Sequence, residues 1–217
     1  MKSCVLLSGG VDSALMLRRA LRRGGSVLPL YIRCGFVWET AELHWLRRLL
    51  RALRTPALRS LQVIDLPMRP IYGAHWSLTG RRIPGARSAD RAVFLPGRNA
   101  LLLTAAAVAC ARERVSTISL GVLKGNPFGD ATPRFFSTLA SALRQALGVP
   151  IRIVAPLRRM SKAQLIRAAA DAPFALTFSC LRPTAGYHHC GRCNKCAERR
   201  RAFRLAGITD PTVYAQH

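Results

Sequence analysis

The sequence has few acidic residues, few lysines and no long hydrophobic run. Of 217 residues, 34 are Lys or Arg and only 10 are Asp or Glu, so the formal net charge is +24. The longest plainly apolar run, Leu101 to Ala111, is interrupted by Thr104 and is too short to span a bilayer. No secretory signal is evident, because Met1-Lys2 leads directly into a strand-like apolar run. We therefore expect a cytoplasmic protein without a membrane partner.

Lysine is so scarce that nearly all of the positive charge comes from arginine, which allows two interpretations. A strongly basic protein can bind a polyanion such as tRNA or DNA. Alternatively, the arginines decorate solvated helix faces in a chain rich in Arg and Ala. Pairs such as Arg18-Arg19 and Arg22-Arg23 have helical spacing, and no aromatic residues alternate with them as in single-strand binders. Under either interpretation we expect some nonspecific nucleic-acid affinity at low salt.

Half of the residues are hydrophobic, which is enough for a sizeable core. Short apolar runs alternate with amphipathic segments, which predicts an α/β fold with a doubly wound, mostly parallel, Rossmann-like sheet. The predicted strands are Lys2–Leu7, Val27–Arg33, Gln62–Leu66, Thr117–Gly121 and Ile151–Ala155. The predicted helices are Ser13–Arg23, Thr40–Leu53, Asn99–Arg114, Pro133–Leu147 and Ser161–Asp171. The Pro-, Gly- and Arg-rich stretch Met68–Arg98 is expected to be a long loop that acts as a lid or binding segment.

The hexapeptide Ser8-Gly9-Gly10-Val11-Asp12-Ser13 lies between the first predicted strand and the first predicted helix. Two glycines allow the backbone to approach a ligand closely, and a helix N-terminus offers unpaired N–H groups to a phosphate. Ser8 and Ser13 can donate hydroxyl hydrogen bonds, and Asp12 can hold a magnesium ion. A capped Gly-Gly turn with no ligand is the alternative. The string lacks the Lys of the mononucleotide P-loop and is similar to the PP-loop of ATP pyrophosphatases, which cleave ATP to AMP and pyrophosphate.

Four cysteines near the C-terminus have the spacing of a metal site. Cys190, Cys193 and Cys196 form C-x-x-C-x-x-C, and Cys180 precedes them. Four thiolates in this pattern favour tetrahedral zinc in a structural role, since no coordination position stays open. An iron–sulfur cluster, disulfides, a redox pair, or a ligand from the neighbouring His188-His189 pair are the alternatives.

The PP-loop and the four-cysteine pattern together resemble the 7-cyano-7-deazaguanine synthase (QueC) family. Further segments match that family in order, namely Leu95-Pro96-Gly97-Arg98-Asn99, Ile118-Ser119-Leu120-Gly121-Val122, Ala155-Pro156-Leu157 with Ser161-Lys162-Ala163, Leu176-Thr177-Phe178-Ser179-Cys180, and the stretch from Arg201 to Pro211. The resemblance covers essentially the whole chain. It implies an adenine nucleotide alpha hydrolase-like domain over residues 1–175 and a small zinc-binding segment over residues 176–217 that packs on it.

The resemblance also implies an activity, that of an ATP-dependent ligase of queuosine biosynthesis. In that family the carboxylate of 7-carboxy-7-deazaguanine attacks the α-phosphate of ATP and becomes an acyl adenylate. Ammonia displaces AMP to give an amide, and a second activation with loss of AMP gives the nitrile, 7-cyano-7-deazaguanine (preQ0). ATP, Mg²⁺ and Zn²⁺ are the implied cofactors, and a homodimer is the implied assembly.

The matching positions carry implied roles. Ser8–Ser13 would hold the departing pyrophosphate with magnesium near Asp12, and Arg98 and Lys162 are the best placed cations for the phosphates. A cap or a surface charge is the alternative for Arg98. Lys162 opposes the dipole in the first turn of its predicted helix, so a partner anion would explain it. The candidate substrate contacts are Phe36, Trp38, Asn99, Gly121 and Asp130.

Two segments depart from the family pattern. The Y-G-Q-R-H that usually follows the second strand is replaced by Cys34-Gly35-Phe36-Val37-Trp38-Glu39. A longer family segment is shortened to the stretch from Gly121 to Asp130, which keeps Asp130 but lacks the family's Asn and Tyr. Phe36, Trp38 and Phe128 can still stack on a flat heterocycle, or pack as ordinary core residues. The ATP-cleaving part is therefore well preserved and the acceptor-binding part is not.

Two other functions fit parts of the sequence. A QueC-like enzyme of an anti-phage system would use the same adenylation to stop at the amide, or to join a deazapurine to a protein such as a ubiquitin-like partner. A PP-loop tRNA-modifying enzyme is the second alternative, which the basic charge favours.

Overall fold

The computed structural model describes residues 2–215. Five strands are present, β1 (Lys2–Leu6), β2 (Ser26–Arg33), β3 (Gln62–Asp65), β4 (Thr117–Ser119) and β5 (Arg152–Val154). They form one parallel sheet in the order β3-β2-β1-β4-β5. This arrangement confirms the predicted doubly wound α/β fold.

Helices cover both faces of the sheet. They are α1 (Val11–Arg22), α2 (Glu39–Ala52), α3 (Arg69–Tyr72), α4 (Trp76–Thr79), α5 (Arg98–Arg112), α6 (Pro133–Leu147), α7 (Lys162–Arg167) and α8 (Asn194–Ala206). Alternate residues of a strand face opposite sides, so Cys4 packs into the core beneath α5 and α6 while Val5 packs into the core beneath α1, α7 and α8. The continuous apolar run of β1 is explained by burial on both faces.

The strand order leaves a crevice beyond the carboxyl ends of the two strands at which the order reverses. From β1 the chain winds outward through β2 and β3, whereas β4 and β5 lie on the other side of β1. At such a reversal the crossovers leave a gap beyond the carboxyl ends of the two neighbouring strands. Here those strands are β1 and β4, and the hexapeptide Ser8–Ser13 follows β1 directly.

The larger differences from the predicted elements concern α7, the Met68–Arg98 stretch and α8. Helix α7 ends at Arg167 instead of Asp171, since the turn that follows leads into Pro173, and proline disfavours a helical residue before it. The predicted loop Met68–Arg98 contains the short helices α3 and α4 and a 3-10 turn over Asp90–Val93. Helix α8 was not predicted, because its apolar stripe is interleaved with arginines and interrupted by the buried Arg199.

The C-terminal segment and the Met68–Arg98 stretch are joined to one another. The backbone N–H of Asn194 donates to the carbonyl of Pro84 at 2.9 Å, and its side-chain amide donates to the carbonyl of Ser88 at 2.9 Å. The same segment contacts the hexapeptide, because the N–H of Phe178 donates to the carbonyl of Gly9 at 2.8 Å. The segment that carries the four cysteines therefore lies against the crevice.

Between residues 2 and 215, no helix combines the length and the apolar character required to cross a bilayer.

Candidate active site

The turn between β1 and α1 presents a free helix N-terminus to the crevice. Gly9 has a φ of +74°, which favours glycine, and Gly10 adopts an extended conformation just before the helix. Within residues 2–215 no side chain caps this end, so the first N–H groups of α1 stay available to a ligand. Ser13 Oγ donates to the carbonyl of Gly10 at 3.1 Å and lies 3.4 Å from Ser8 Oγ. The turn is shaped before any ligand binds.

Gly121 allows the end of β4 to pass close to this turn. A Cβ atom at Gly121 would lie 3.0 Å from the carbonyl carbon of Asp12 and 3.1 Å from the nitrogen of Ser13. Both neighbours belong to the backbone of α1 and cannot move aside cheaply. Gly121 therefore acts by close approach of two backbones, and any side chain there would displace Asp12.

Three charged side chains meet beside the turn. Lys162 Nζ lies 3.3 Å from Asp12 Oδ2 and forms a shorter ion pair with Glu198 Oε1. Burial acts against the charged form of Lys162, but Asp12 and Glu198 together outweigh it and raise its pKa. The partner anion expected for Lys162 is thus present twice, once on α1 and once on α8.

A second lysine completes this group. Lys195 Nζ donates to Glu198 Oε2 at 2.6 Å, so each carboxylate oxygen of Glu198 accepts from a different lysine. Burial opposes ionisation of Glu198, but the two lysines outweigh it and lower its pKa to about 2. Sequence reasoning treated Lys195 only as a cation near the cysteines and overlooked Glu198, because the docking of α8 against α7 was not predicted.

Asp12 keeps one oxygen free for a ligand. Its Oδ1 atom is buried and has no hydrogen-bond partner among the described residues. Burial raises the pKa of Asp12, since it outweighs the attraction of Lys162. An unpartnered buried carboxylate oxygen costs free energy unless a cation or donor arrives. Such an oxygen beside a phosphate-type turn is a suitable ligand for a divalent cation.

Two glutamates on α2 face the other side of the crevice. Glu39 accepts hydrogen bonds from the N–H groups of Cys34 at 2.6 Å and Gly35 at 2.8 Å, so it shapes the turn after β2. Glu42 accepts from the Tyr31 hydroxyl at 2.8 Å, and burial raises its pKa to about 8. Glu42 therefore carries a proton at neutral pH and can donate a hydrogen bond into the crevice.

Arg98, Asn99 and Asp130 form the rim beside the start of α5. Asp130 accepts from the backbone N–H of Asn99 at 3.0 Å, and the Asn99 amide donates to the Asp130 carbonyl at 3.1 Å. These contacts tie the loop after β4 to α5. The guanidinium of Arg98 lies 5.6 Å from the ring centre of Phe36, and its Nε is buried without a partner among residues 2–215. Arg98 therefore retains an unused donor.

Trp38, Phe94 and Phe128 line the crevice, and each belongs to a group of stacked aromatic side chains. Trp38 stacks on Phe36 at 4.9 Å between ring centres and on Trp76 at 5.7 Å. Phe94 stacks on Phe128 at 4.9 Å with an interplanar angle of 22°. Both groups offer flat faces of the size of a heterocycle.

These residues enclose a cavity of about 310 Å³. Of the sequence-predicted residues it brings together Ser8, Gly10, Val11, Asp12, Ser13, Trp38, Arg98, Asn99, Gly121, Asp130 and Lys162. Gly9 and Phe36 are outside the lining in the described structure, Gly9 as a turn residue and Phe36 as a buried residue stacked on Trp38. Other residues that had no predicted role in this site also line it, among them Glu39, Glu42, Phe94, Ser179 and Lys195.

The residues that were not predicted differ in whether the sequence carries a local signal for them. Glu39 and Glu42 lie on one face of α2 at i,i+3 spacing, a signal that pattern reading could have used. Phe94 lies in the segment that was predicted only as a loop. For Lys195 no local signal exists, because its position depends on how α8 docks.

The four cysteines form a buried cluster. The sulfur atoms of Cys180, Cys190, Cys193 and Cys196 all lie within 4.8 Å of one another. Backbone N–H groups point at the sulfurs, with Leu181 donating to Cys193 at 3.4 Å and Cys190 donating to Cys180 at 3.3 Å. This is a donor set that could hold a metal ion. The neighbouring His189 is occupied elsewhere, since its Nε2 accepts from the N–H of Ser179 at 3.1 Å.

The fold, a doubly wound parallel sheet covered by helices, is shared with solved α/β proteins. A predicted subunit of tRNA methyltransferase from Methanocaldococcus jannaschii superimposes with a TM-score of 0.53 and 14% identity over 100% of this chain and 93% of that one. A 4-thiouridine synthetase, solved with RNA and bound ATP, superimposes with a TM-score of 0.54 and 18% identity over 79% of this chain and 40% of that one. At these identities the likeness shows the fold alone.

The sequence comparisons define the family. The family model described as "Queuosine biosynthesis protein QueC" matches residues 2–207. The 7-cyano-7-deazaguanine synthases of Brucella anthropi and of Anaeromyxobacter sp. are each 34% identical over 99% of this chain and cover 94% and 97% of their own lengths. The chain belongs to the QueC family, as its motifs indicated, and its relatives are named as synthases.

Proposed function

We propose that the chain is an AMP-forming ligase that uses ATP to convert 7-carboxy-7-deazaguanine and ammonia to 7-cyano-7-deazaguanine. One observation carries the proposal: a single cavity contains the phosphate-type turn, the Asp12 and Lys162 pair, and aromatic faces. Family membership and the names of the relatives support the same product.

The phosphates of ATP fit the turn and its cations. The free N–H groups of α1 and the hydroxyls of Ser8 and Ser13 donate to the pyrophosphate that leaves, and Lys162 offsets its charge. Arg98 approaches from the rim with an unused donor. These groups stabilise charge that grows on the bridging oxygen as the bond to the α-phosphorus breaks.

Asp12 would hold Mg²⁺ through Oδ1. When bound, the ion supplies charge neutralisation on the phosphates and makes pyrophosphate a better leaving group. Lys162 pairs with the other Asp12 oxygen and so fixes the orientation of the carboxylate.

The acceptor is activated twice. In the first activation a carboxylate oxygen bonds to the α-phosphorus, pyrophosphate leaves, and ammonia then displaces AMP together with that oxygen. In the second activation the amide oxygen takes the same course, and loss of AMP and protons leaves the nitrile. Stacking on Trp38 and on the Phe94–Phe128 pair would hold the heterocycle during both rounds. Glu42, protonated at neutral pH, is placed to donate to it.

We assign the four-cysteine cluster to structural Zn²⁺. Four buried sulfurs at mutual distances within 4.8 Å suit tetrahedral coordination with no position left for substrate. The ion would fix the first turn of α8, which carries Cys196. We also propose the homodimer that the family resemblance implies, which light scattering of the purified protein would test.

A different acceptor for the same adenylation is the second candidate. It is favoured by the segment after β2, where the aromatic residues Phe36 and Trp38 replace the family's polar residues and Phe36 is buried outside the cavity lining of the described structure. In that case the acid that is activated would differ, or the product would be an amide or a conjugate with a protein amine. The phosphate chemistry would stay the same.

Product analysis separates these functions. The protein is incubated with ATP, Mg²⁺, ammonium and 7-carboxy-7-deazaguanine, and mass spectrometry measures the nitrile, the amide and AMP. We expect nitrile with two AMP per molecule. Amide as the final product, or AMP released only when a protein or tRNA is added, would replace the proposal with the corresponding alternative, and no AMP under any of these conditions would overturn it.

A further inference from the structure

We propose that Lys195, carried between two of the clustered cysteines, is a second phosphate-binding cation of the cavity, and that Glu198 is the positioning residue that holds Lys195 beside Lys162. The inference rests on the proposed ATP chemistry and adds a residue that the hexapeptide motif does not contain. Both side chains lie on α8, so the metal-binding segment contributes directly to the phosphate site.

The first argument is charge balance. Asp12, Lys162 and Glu198 alone carry one positive and two negative charges, and this net negative charge would repel a phosphate. Lys195 pairs with the second oxygen of Glu198 at 2.6 Å and brings the group to neutrality. Adding a divalent cation at Asp12 then gives a net charge of +2, which suits an incoming pyrophosphate.

The second argument is hydrogen-bond capacity. An ammonium group has three donors, and Lys195 uses one of them on Glu198. Lys195 lines the cavity and its side chain is 33% exposed, so its remaining donors can reach a ligand there. Lys162 uses two of its three donors, on Asp12 and on Glu198, and keeps one for a ligand.

The third argument concerns how Lys195 is held. Cys193 is the N-cap of α8 and Cys196 lies in its first turn, so the cysteine cluster fixes the backbone on both sides of Lys195. The neighbouring Asn194 binds the backbone of Pro84 and Ser88, which adds a further restraint. A lysine on a restrained turn loses little conformational entropy when it binds phosphate.

The test uses a matched pair of substitutions. Lys195→Ala and Arg192→Ala each remove one cation from the C-x-x-C-x-x-C segment, but Arg192 is exposed and lies outside the cavity lining of the described structure. Calorimetry with pyrophosphate and Mg²⁺ measures the phosphate site, and adenosine measures the nucleoside site. Metal content by mass spectrometry and the melting temperature report on the fold.

We expect Lys195→Ala to bind pyrophosphate about 10-fold or more weakly, as for loss of a hydrogen bond to a charged group, with adenosine affinity, metal content and melting temperature unchanged. Arg192→Ala should bind as the wild type does. If Lys195→Ala loses metal, Lys195→Gln, which keeps the stem of the side chain, takes its place. Glu198→Gln removes a negative charge as well as the contact that positions Lys195, so the informative quantity is the coupling between the two residues. The effect of Glu198→Gln on pyrophosphate binding should differ between the wild type and the Lys195→Ala background, whereas equal effects would show that Glu198 does not position Lys195.

The outcomes separate the two claims. Wild-type protein that binds neither ATP nor pyrophosphate overturns the proposed function and this inference with it. Wild-type protein that binds both, with Lys195→Ala binding equally well, overturns the inference alone. Equal losses in Lys195→Ala and Arg192→Ala would also overturn it, because they would show an effect of overall charge.

Discussion

The cavity is formed and supported by two sets of residues that are held in different ways. The phosphate set, the turn Ser8–Ser13 with Lys162, Lys195 and Glu198, is fixed by ion pairs and by backbone geometry. The aromatic set, Trp38, Phe94 and Phe128, is held by ring stacking, and Phe94 remains 37% exposed. The phosphate set and the buried Trp38 are costly to alter, whereas the more exposed Phe94 and Phe128 can change with little disturbance of the fold.

This difference explains where the chain departs from its family. The departures fall after β2 and after Gly121, in the stretches that supply Trp38 and Phe128. The phosphate turn and the four cysteines keep the family pattern. Under the proposed function, activation of the acid by ATP uses the part of the chain that keeps the family pattern, and recognition of the acid uses the part that departs from it.

Removing one cysteine should disrupt α8 and, with it, part of the phosphate set. Cys193→Ala takes one sulfur from the buried cluster that fixes α8, and with it Lys195 and Glu198. We expect loss of the metal, a melting temperature lowered by many degrees, and loss of AMP formation, since structural zinc contributes folding energy directly. Metal analysis and thermal unfolding provide the check. A stable, metal-loaded Cys193→Ala protein would refute the four-cysteine site.

Removing Asp12 should break the phosphate set and leave the aromatic set intact. Asp12→Ala should lower AMP formation about 100-fold or more, the scale of losing one electrostatic group that acts in the transition state, with little change in melting temperature. Asp171→Ala is the matched control, because it also removes an aspartate paired with a cation but at an exposed site. Equal activity of the two variants would contradict the role of Asp12.

Removing one ring of the aromatic set should act on the acceptor alone. Phe128→Ala should raise the KM for the deazapurine acid about 10-fold, since stacking of a base on an aromatic ring is worth about 1–3 kcal/mol, while the KM for ATP stays the same. Phe135→Ala, which removes a partly buried ring that packs edge-to-face against Phe136, controls for the loss of aromatic volume. An unchanged KM for the acid together with a raised KM for ATP would reverse the division between the two sets.

The last prediction concerns the pH dependence of stability and leaves the activity aside. Burial raises the pKa of Glu42 to about 8 in the folded protein, whereas an unfolded glutamate titrates near 4.5. Between these values the folded state binds the extra proton, so stability falls as pH rises from about 5 to about 8. Denaturant unfolding of wild type and Glu42→Gln should show a flatter pH dependence for the variant over this window. Parallel pH profiles would show that Glu42 is not protonated in the folded state.

The predictable parts of the molecule are those governed by local sequence. The turn Ser8–Ser13 and the apolar strand β1 lie next to each other in the chain, so composition and spacing were sufficient to predict them. The spacing of the four cysteines likewise predicted that their sulfur atoms lie close together, as they do in the structure. Each of these features depends on contacts within a short stretch or on one well-known coordination geometry.

The unpredicted parts depend on tertiary docking. Glu198 reaches Lys162 only because α8 packs against α7, a contact between residues 36 positions apart. Phe94 meets Phe128 because a segment without long helices folds across the crevice. No periodicity in the sequence encodes either contact, and so the second lysine and one aromatic face became visible only in the structure.

The most direct test of the account follows the oxygen atoms of the acid. With 7-carboxy-7-deazaguanine labelled with ¹⁸O at both carboxylate oxygens, each activation should transfer one labelled oxygen to the α-phosphate of AMP. The account predicts two AMP per nitrile, each carrying one ¹⁸O, as measured by mass spectrometry of the nucleotide. Unlabelled AMP, or label released as water or inorganic phosphate, would contradict activation through an adenylate.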